Sequence, residues 1–140
     1  MNGINKYKLI GIDSNIFIYH FEENPQFIST TQFIFNQLSK EKLKAVTSII
    51  SIAETLSYPL PAKTLKLIEE SFHMVPNLTL YDVDEAIAKE AAKIRRKNGF
   101  RLPDAIQLAT AKRAKADVFI TNDRRLKQFK PLKVLLITEI

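Results

Sequence analysis

The chain alternates short apolar runs with longer segments in which apolar residues recur at helical spacing. Short continuous runs are typical of buried strands, and the periodic segments are typical of helices that bury one face. Pro76 lies inside one of the runs, which favours an edge or irregular strand there. The predicted strands are Tyr7–Ile12, Lys44–Thr47, Met74–Leu80, Asp117–Thr121 and Lys133–Ile137.

Capping residues and helix breakers place the predicted helices between these strands. Thr47 or Ser48 can cap the third helix, and Asp82 or Asp84 can cap the fifth. Gly99 suits the left-handed conformation that commonly follows a helix. The predicted helices cover residues 15–22, 27–38, 49–56, 61–72, 84–98 and 104–114, with a helical turn or two at 124–129.

The order of these elements predicts the fold class. Strands that are apolar along their whole length are typical of parallel sheets covered on both faces. Their alternation with helices predicts an α/β domain with three layers, α/β/α, around a mainly parallel central sheet of four to five strands. The 140 residues fit a single domain, 1–140, and contain no repeat, linker or low-complexity segment.

Composition limits the chemistry that is possible. The absence of cysteine excludes disulfides, thiol catalysis and thiolate zinc sites, and His20 and His73 are too few for a histidine-rich metal site. Any metal must therefore bind to oxygen ligands. The net charge of +6 favours a polyanion such as nucleic acid as the partner, although the same charge also suits a protein that simply stays soluble.

The chain shows no targeting or membrane segment. Its N-terminal apolar run is too short for a signal peptide, and no stretch approaches the ~20 apolar residues of a membrane span. We therefore expect a cytoplasmic protein with no membrane partner.

Four carboxylates fall at or near the carboxyl ends of predicted strands. Ligands collect at this edge in open α/β sheets. If the four converge, the repulsion is severe, since two unit charges ~4 Å apart cost about 4 kcal/mol at an effective dielectric near 20. A divalent cation is the simplest relief. The four are Asp13 after the first strand, Glu54 in the helix after the second, Asp104 at the start of the helix before the fourth, and Asp123 after the fourth.

Each carboxylate also has a structural explanation. Asp13 and Asp123 could be helix N-caps, and Asp104 could favour the dipole of its helix from the first turn. Glu54 is harder to explain, because its helix is so apolar that we expect it to be largely buried, and an unpaired buried carboxylate is costly. Glu54 could still lie on a narrow exposed stripe.

Four strings resemble the signatures of PIN domains and of the VapC-like toxin ribonucleases among them. They are GIDSNIFIY, SIAET, RLPDAIQLATA and FITNDRRL; they occur in the family's order and spacing, and with the helices between them they cover essentially the whole chain. The resemblance implies that the four acids hold Mg²⁺ or Mn²⁺. It also implies catalytic and substrate contacts for Ser14 and substrate contacts for Thr121 and Asn122, whose alternative is turn and cap hydrogen bonding.

Oxygen ligands of this kind suit phosphodiester hydrolysis. Magnesium can activate a water and stabilise charge on a phosphate, so no histidine base is needed. Arg101 and Arg124 flank site acids and could bind the phosphates of the substrate. For the neighbouring run of cations at 95–97, a solvated helix C-terminus is an equally good explanation.

The leading hypothesis is a metal-dependent endoribonuclease that acts on RNA as the toxin of a toxin–antitoxin pair. Two alternatives stay open, a non-catalytic binding module with the same fold and a DNA-directed nuclease. The resemblance further implies a homodimer and a small cognate antitoxin protein that occludes the site. The second and fourth helices, rich in Phe and Leu, could form such a surface, although core packing explains them equally well.

Overall fold

A five-stranded parallel sheet forms the centre of the computed structural model, which describes residues 3–140. The strands are β1 Leu9–Ile12, β2 Lys44–Ser48, β3 Leu78–Tyr81, β4 Val118–Thr121 and β5 Val134–Leu136. They lie in the order β3-β2-β1-β4-β5, and each neighbouring pair is parallel. The predicted α/β class and parallel sheet are confirmed, with five strands in the described chain.

Six α-helices in the described chain cover the two faces of this sheet. They are α1 Ser14–Phe21, α2 Ile28–Ser39, α3 Ile50–Leu56, α4 Ala62–Met74, α5 Glu85–Asn98 and α6 Leu102–Arg113. Helices α1, α2 and α4 pack into one core, and α5 and α6 pack into a second. The result is the three-layer α/β/α arrangement. Within residues 3–140, no helix combines the length and the apolar character needed to cross a membrane.

The two cores are separated by the alternation of side chains along the central strands. Ile10 and Ile12 of β1 lie in the first core, and Phe119 of β4 lies in the second. Successive residues of a strand point to opposite faces, so one short run supplies both cores. Fully burying one such side chain contributes about 1.5–3 kcal/mol, which is why these strands are apolar throughout.

Gly11 allows α6 to lie close against β1. A Cβ at this position would be 2.7 Å from the Cβ of Ala111 and 2.9 Å from the Cδ1 of Phe119. Any side chain would therefore push the helix off the sheet. The glycine fixes a short distance between the strand that leads into Asp13 and the helix that carries Asp104.

The predicted start of the third strand was wrong. Met74 ends α4, and β3 begins only at Leu78. The helix continues past Phe72 because that ring is buried in the first core. It stops at Val75, whose backbone is extended (ψ 116°) because Pro76 follows it. The strand lies at an edge of the sheet, as Pro76 predicted.

The helix caps follow the sequence in part. The Oδ1 of Asp84 accepts a hydrogen bond from the N–H of Ile87 at 2.8 Å, and Gly99 ends α5 with a φ of 72°. Helix α6 begins at Leu102, two residues before the predicted start at Asp104, because a proline is well tolerated in the first turn.

Candidate active site

The strand order reverses between β1 and β4, whose carboxyl ends lie side by side. Asp13 directly follows β1, and its N–H donates to the carbonyl of Ile120 in β4 at 3.0 Å. Asp123 lies just beyond the end of β4. In open α/β sheets, ligands bind at such a reversal. The first and last acids of the sequence are therefore brought to the same point.

A cavity of about 240 Å³ opens at this edge of the sheet, and we call it the acid cavity. All four predicted acids line it, although they come from four separate segments of the chain. Of the other predicted site residues, Ser14 and Arg101 also line the cavity. The remaining lining residues are Asn15, Ile18, Tyr58 and Arg125.

Asp13 is the most deeply buried of the four acids, with 3% of its surface exposed. Its Oδ1 accepts from the N–H of Ser14 at 2.8 Å, and its Oδ2 accepts from the hydroxyl of Thr121 at 2.7 Å. Burial raises its pKa to about 7; the two hydrogen bonds oppose the shift, and the charges of Asp104 and Glu54 add to it. An ordinary N-cap bonds to the second or third helical N–H, so capping alone does not explain this residue.

Glu54 lies on α3, which is less buried than the sequence suggested. The buried side chains of this helix are Ser51 and Thr55, whereas Ile49 just before it is 37% exposed. Glu54 itself is half-buried, and this burial raises its pKa. The charge of Asp104 adds to the shift, whereas the side chains of Ser14 and Gln107 and the charge of Arg101 oppose it.

Two buried oxygen atoms of cavity-lining residues have no hydrogen-bond partner within residues 3–140. They are the Oε1 of Glu54 and the Oδ1 of Asn15. Buried acceptors are normally satisfied, and an unsatisfied one costs about 1–3 kcal/mol. The acid cavity therefore offers two acceptors that a cation or a hydrogen-bond donor would stabilise.

Arginines hold the other two acids. The guanidinium group of Arg125 donates two hydrogen bonds to the carboxylate of Asp123, from Nε to Oδ1 at 3.0 Å and from Nη2 to Oδ2 at 2.5 Å. These bonds lower the pKa of Asp123. The Oδ2 of Asp104 lies 3.9 Å from the Nε of Arg101 and 3.8 Å from the Nη2 of Arg125. Burial nevertheless raises the pKa of Asp104, because it outweighs these arginines and Asp123 adds to the repulsion.

The donor set fits a hard divalent cation. Carboxylate and amide oxygens are the ligands that Mg²⁺ and Mn²⁺ prefer. A bound cation would oppose the burial and the mutual repulsion that raise the pKa values of Asp13, Glu54 and Asp104. Within the described part of the chain, no three His, Cys, Asp or Glu side chains are already gathered around one point as a bound metal requires. A cation would have to draw Asp123 away from Arg125.

Comparison with known proteins identifies the family. The sequence pattern that defines the PIN domain matches residues 10–131. The chain belongs to the PIN-domain family. No curated protein matches its sequence significantly.

Solved structures show the same fold over nearly the whole of this PIN domain. A chain of a toxin–antitoxin complex from Klebsiella pneumoniae is 22% identical, with a TM-score of 0.69, and the match covers 95% of this chain and 99% of that one. A chain of VapBC2 from Rickettsia felis bound to a DNA fragment from their promoter is 16% identical, with a TM-score of 0.73 and coverage of 91% and 98%. A chain of DNA-bound VapBC from Salmonella typhimurium is 18% identical, with a TM-score of 0.70, and the match covers 93% of this chain and 98% of that one. The fold is VapC-like.

Three predicted substrate contacts do not line the acid cavity of this PIN domain. Thr121 is fully buried; its hydroxyl donates to Asp13 and accepts from the N–H of Asp123 at 3.1 Å. The Nδ2 of Asn122 donates to the hydroxyl of Tyr19 at 2.8 Å. Thr121 thus orients two acids, and Asn122 secures α1.

The third of these, Arg124, is exposed, and its charge acts on Glu139. Its neighbour Arg125 lines the cavity instead. Asp123 caps the short 3₁₀ helix Arg124–Gln128 by accepting from the N–H of Arg125 at 3.0 Å, which holds that residue beside the acids. A sequence pattern that contains two adjacent arginines does not distinguish them.

Gln107 is a buried polar residue near the site that the sequence did not predict. It is 1% exposed; its Oε1 accepts from the N–H of Ser48 at 3.2 Å, and its Nε2 donates to the Oγ of Ser51 at 2.8 Å. It lies one turn after Asp104, and Ser51 lies one turn before Glu54. Gln107 therefore ties α6 to α3 behind two of the acids. The one signal was its position inside the otherwise apolar string AIQLA.

We predict that Asp13 makes the metal-free protein less stable at higher pH. Its pKa of about 7 in the folded protein lies above the ordinary value of 3.8, so the folded state keeps a proton that the unfolded chain has lost between these values. The stability this proton supplies is lost as pH rises toward 7. Urea unfolding in EDTA should show a fall of about 2–3 kcal/mol between pH 5 and 8 that Asp13→Asn removes. Equal pH dependence in both proteins would refute the assignment.

We predict that Gln107→Leu costs about 1–3 kcal/mol of unfolding free energy, because it leaves the N–H of Ser48 without a partner and leaves the hydroxyl of Ser51 with only Thr47. Combining it with Ser51→Ala should give a non-additive change of at least about 0.5 kcal/mol. The matched control is Thr110→Val on the same helix, whose hydroxyl bonds only to the carbonyl of Ile106. The changes in unfolding free energy of Thr110→Val and Ser51→Ala should simply add. If those of Gln107→Leu and Ser51→Ala also add, Gln107 does not join the two helices.

Proposed function

We propose that this PIN-domain protein is a metal-dependent endoribonuclease that hydrolyses phosphodiester bonds in RNA, and that it is the toxin of a toxin–antitoxin pair. The acid cavity carries the proposal, because it gathers four carboxylates and two unpartnered acceptor oxygens at the reversal of the strand order. Membership of the PIN-domain family and the likeness to chains of toxin–antitoxin complexes support it.

The residues that would hold Mg²⁺ or Mn²⁺ are the four carboxylates, with the amide oxygen of Asn15 beside them. When bound, such an ion would activate a water and neutralise charge on the scissile phosphate. Thr121 prepares the site, because its hydroxyl fixes the carboxylate of Asp13 and the backbone of Asp123. Gln107 sets the separation of α3 and α6, and with it the separation of Glu54 and Asp104.

Arginines at the mouth of the cavity address a second requirement, the approach of a polyanion to an acidic site. The side chains of Arg101 and Arg125 are 65% and 61% exposed, yet both reach within 4 Å of Asp104. Guanidinium groups bind phosphate through paired hydrogen bonds. Ser14 lines the same cavity with a hydroxyl that can donate to a phosphate oxygen. These residues would hold the phosphate against the acids.

Partner proteins are proposed to cover the same edge. Four large apolar residues are 37–47% exposed: Ile49 and Val83 after strands β2 and β3, Leu102 at the start of α6, and Tyr58, which lines the acid cavity. Apolar side chains around a polar site are typical of a binding surface. We assign this surface to the antitoxin, which would occlude the cavity, and to a second copy of the chain in a homodimer.

The two helices predicted as partner surfaces, α2 and α4, differ in how far their apolar side chains are buried. Helix α2 buries Ile34, Phe35 and Leu38 in the first core, so core packing explains its apolar residues. Helix α4 leaves Leu67 and Met74 56% and 79% exposed. Helix α4 therefore keeps an apolar face that a partner could cover.

We predict that the purified protein cleaves single-stranded RNA with Mg²⁺ or Mn²⁺ and stops when EDTA is added. Asp13→Asn and Asp104→Asn should each lower the cleavage rate by more than about 100-fold, because they remove ligand oxygens. Asp117→Asn is the matched control; Asp117 lies at the opposite edge of the sheet and accepts from the N–H groups of Lys8 and Leu9. That variant should keep its activity.

Matched RNA and DNA strands separate the alternatives in the same assay. Cleavage of DNA at the rate of RNA would identify a nuclease that does not read the sugar. RNA cleavage that survives EDTA or the Asp104→Asn change would contradict the metal-dependent mechanism. Absence of cleavage of either strand in Mn²⁺ would favour a non-catalytic binding module.

A further inference from the structure

A second concave surface is basic rather than acidic. A groove of about 310 Å³ lies between α5 and residues 128–131, and we call it the lysine groove. Its lining contains four lysines, Lys93, Lys97, Lys112 and Lys130, and one acid, Glu90. The groove shares no lining residue with the acid cavity.

Three of the four lysines keep an excess positive charge. The Nζ of Lys112 donates to the Oε1 of Glu90 at 2.7 Å, which neutralises both. Within residues 3–140, Lys93, Lys97 and Lys130 form no ion pair, although the charge of Lys93 also acts on Glu90. Ammonium groups that converge on a groove without acidic partners suit a polyanion.

The floor of the groove is apolar and closed. Ile94 and Phe129 line it but are only 5% and 3% exposed, so the phenylalanine ring is not free to stack on a base. The polar lining consists of the four lysines with Glu90, Asn98 and Gln128, and ammonium groups contact phosphates without reading sequence.

A short stretch of chain joins the lysine groove to the acid cavity. Lys97 lines the groove and Arg101 lines the cavity, and four residues span at most ~14 Å. The turn between them is held by the left-handed Gly99 and by a bond from the Nη1 of Arg95 to the carbonyl of Phe100 at 2.9 Å. The groove and the cavity therefore lie within a few nucleotides of each other.

We propose that the lysine groove binds the phosphates of the RNA substrate a few nucleotides from the scissile bond. The proposal rests on the proposed ribonuclease function and adds a second, sequence-independent contact to it. The positive groove offsets the repulsion between the acid cavity and the RNA backbone. Lys93, Lys97 and Lys130 are the residues that carry it.

The test measures binding of a fluorescent single-stranded RNA in EDTA over a series of salt concentrations. The triple variant K93Q/K97Q/K130Q should bind more weakly, and the slope of log K against log salt should fall by about 2, since each lost phosphate contact removes ~0.7. The control K40Q/K42Q/K63Q changes three exposed lysines that form no ion pair among the described residues. Its slope should match the wild type.

Equal slopes in the triple variant and the wild type would overturn the proposal, as would an absence of RNA binding by the wild type. A triple variant that binds RNA normally but loses binding of a poly-glutamate peptide would assign the groove to an acidic protein instead and would also overturn it. If the triple variant unfolds, K97Q/K130Q takes its place, with a slope expected to fall by ~1.4. Binding in EDTA requires no cleavage, so failure of the nuclease proposal is recognised separately.

Discussion

Carboxylates that are held together away from water repel one another, and the arrangement around the acid cavity depends on this constraint. Asp13 has lost almost all contact with solvent, and its pKa rises to about 7. The protein counters the repulsion with a hydroxyl at Asp13 and with arginines at Asp104 and Asp123. These contacts leave some charge uncompensated, which is the condition in which a site attracts a cation.

The scaffold behind the cavity keeps the acids close in spite of this repulsion. Gly11 lets α6 lie directly against β1, and Gln107 bonds α6 to the start of α3. The hydroxyl of Thr47 extends the same buried network by donating to the carbonyl of Ile12 at 2.7 Å. Buried polar groups that are fully paired give a rigid connection, so this network positions β1, α3 and α6 relative to one another before any ligand binds.

The sequence predicted the fold class and the convergence of the four acids, because apolar periodicity and the position of strand ends are local features. The sequence did not predict side-chain contacts between segments that are far apart along the chain. Thr121 faces inward to Asp13, and Arg125 rather than Arg124 reaches the cavity, because backbone geometry after β4 decides both directions. The expected burial of α3 was wrong, because the side chains that it buries are polar: Ser51 bonds to Gln107, and Thr55 bonds to the carbonyl of Ser51.

The central claim is that these carboxylates form one cation site. Titration with Mn²⁺ followed by electron paramagnetic resonance tests it directly, since free and bound ions are counted without any reaction. We expect saturable binding by the wild type and a loss of affinity of at least about 10-fold in Asp104→Asn and in Glu54→Gln. Unchanged Mn²⁺ affinity in both variants would contradict the account.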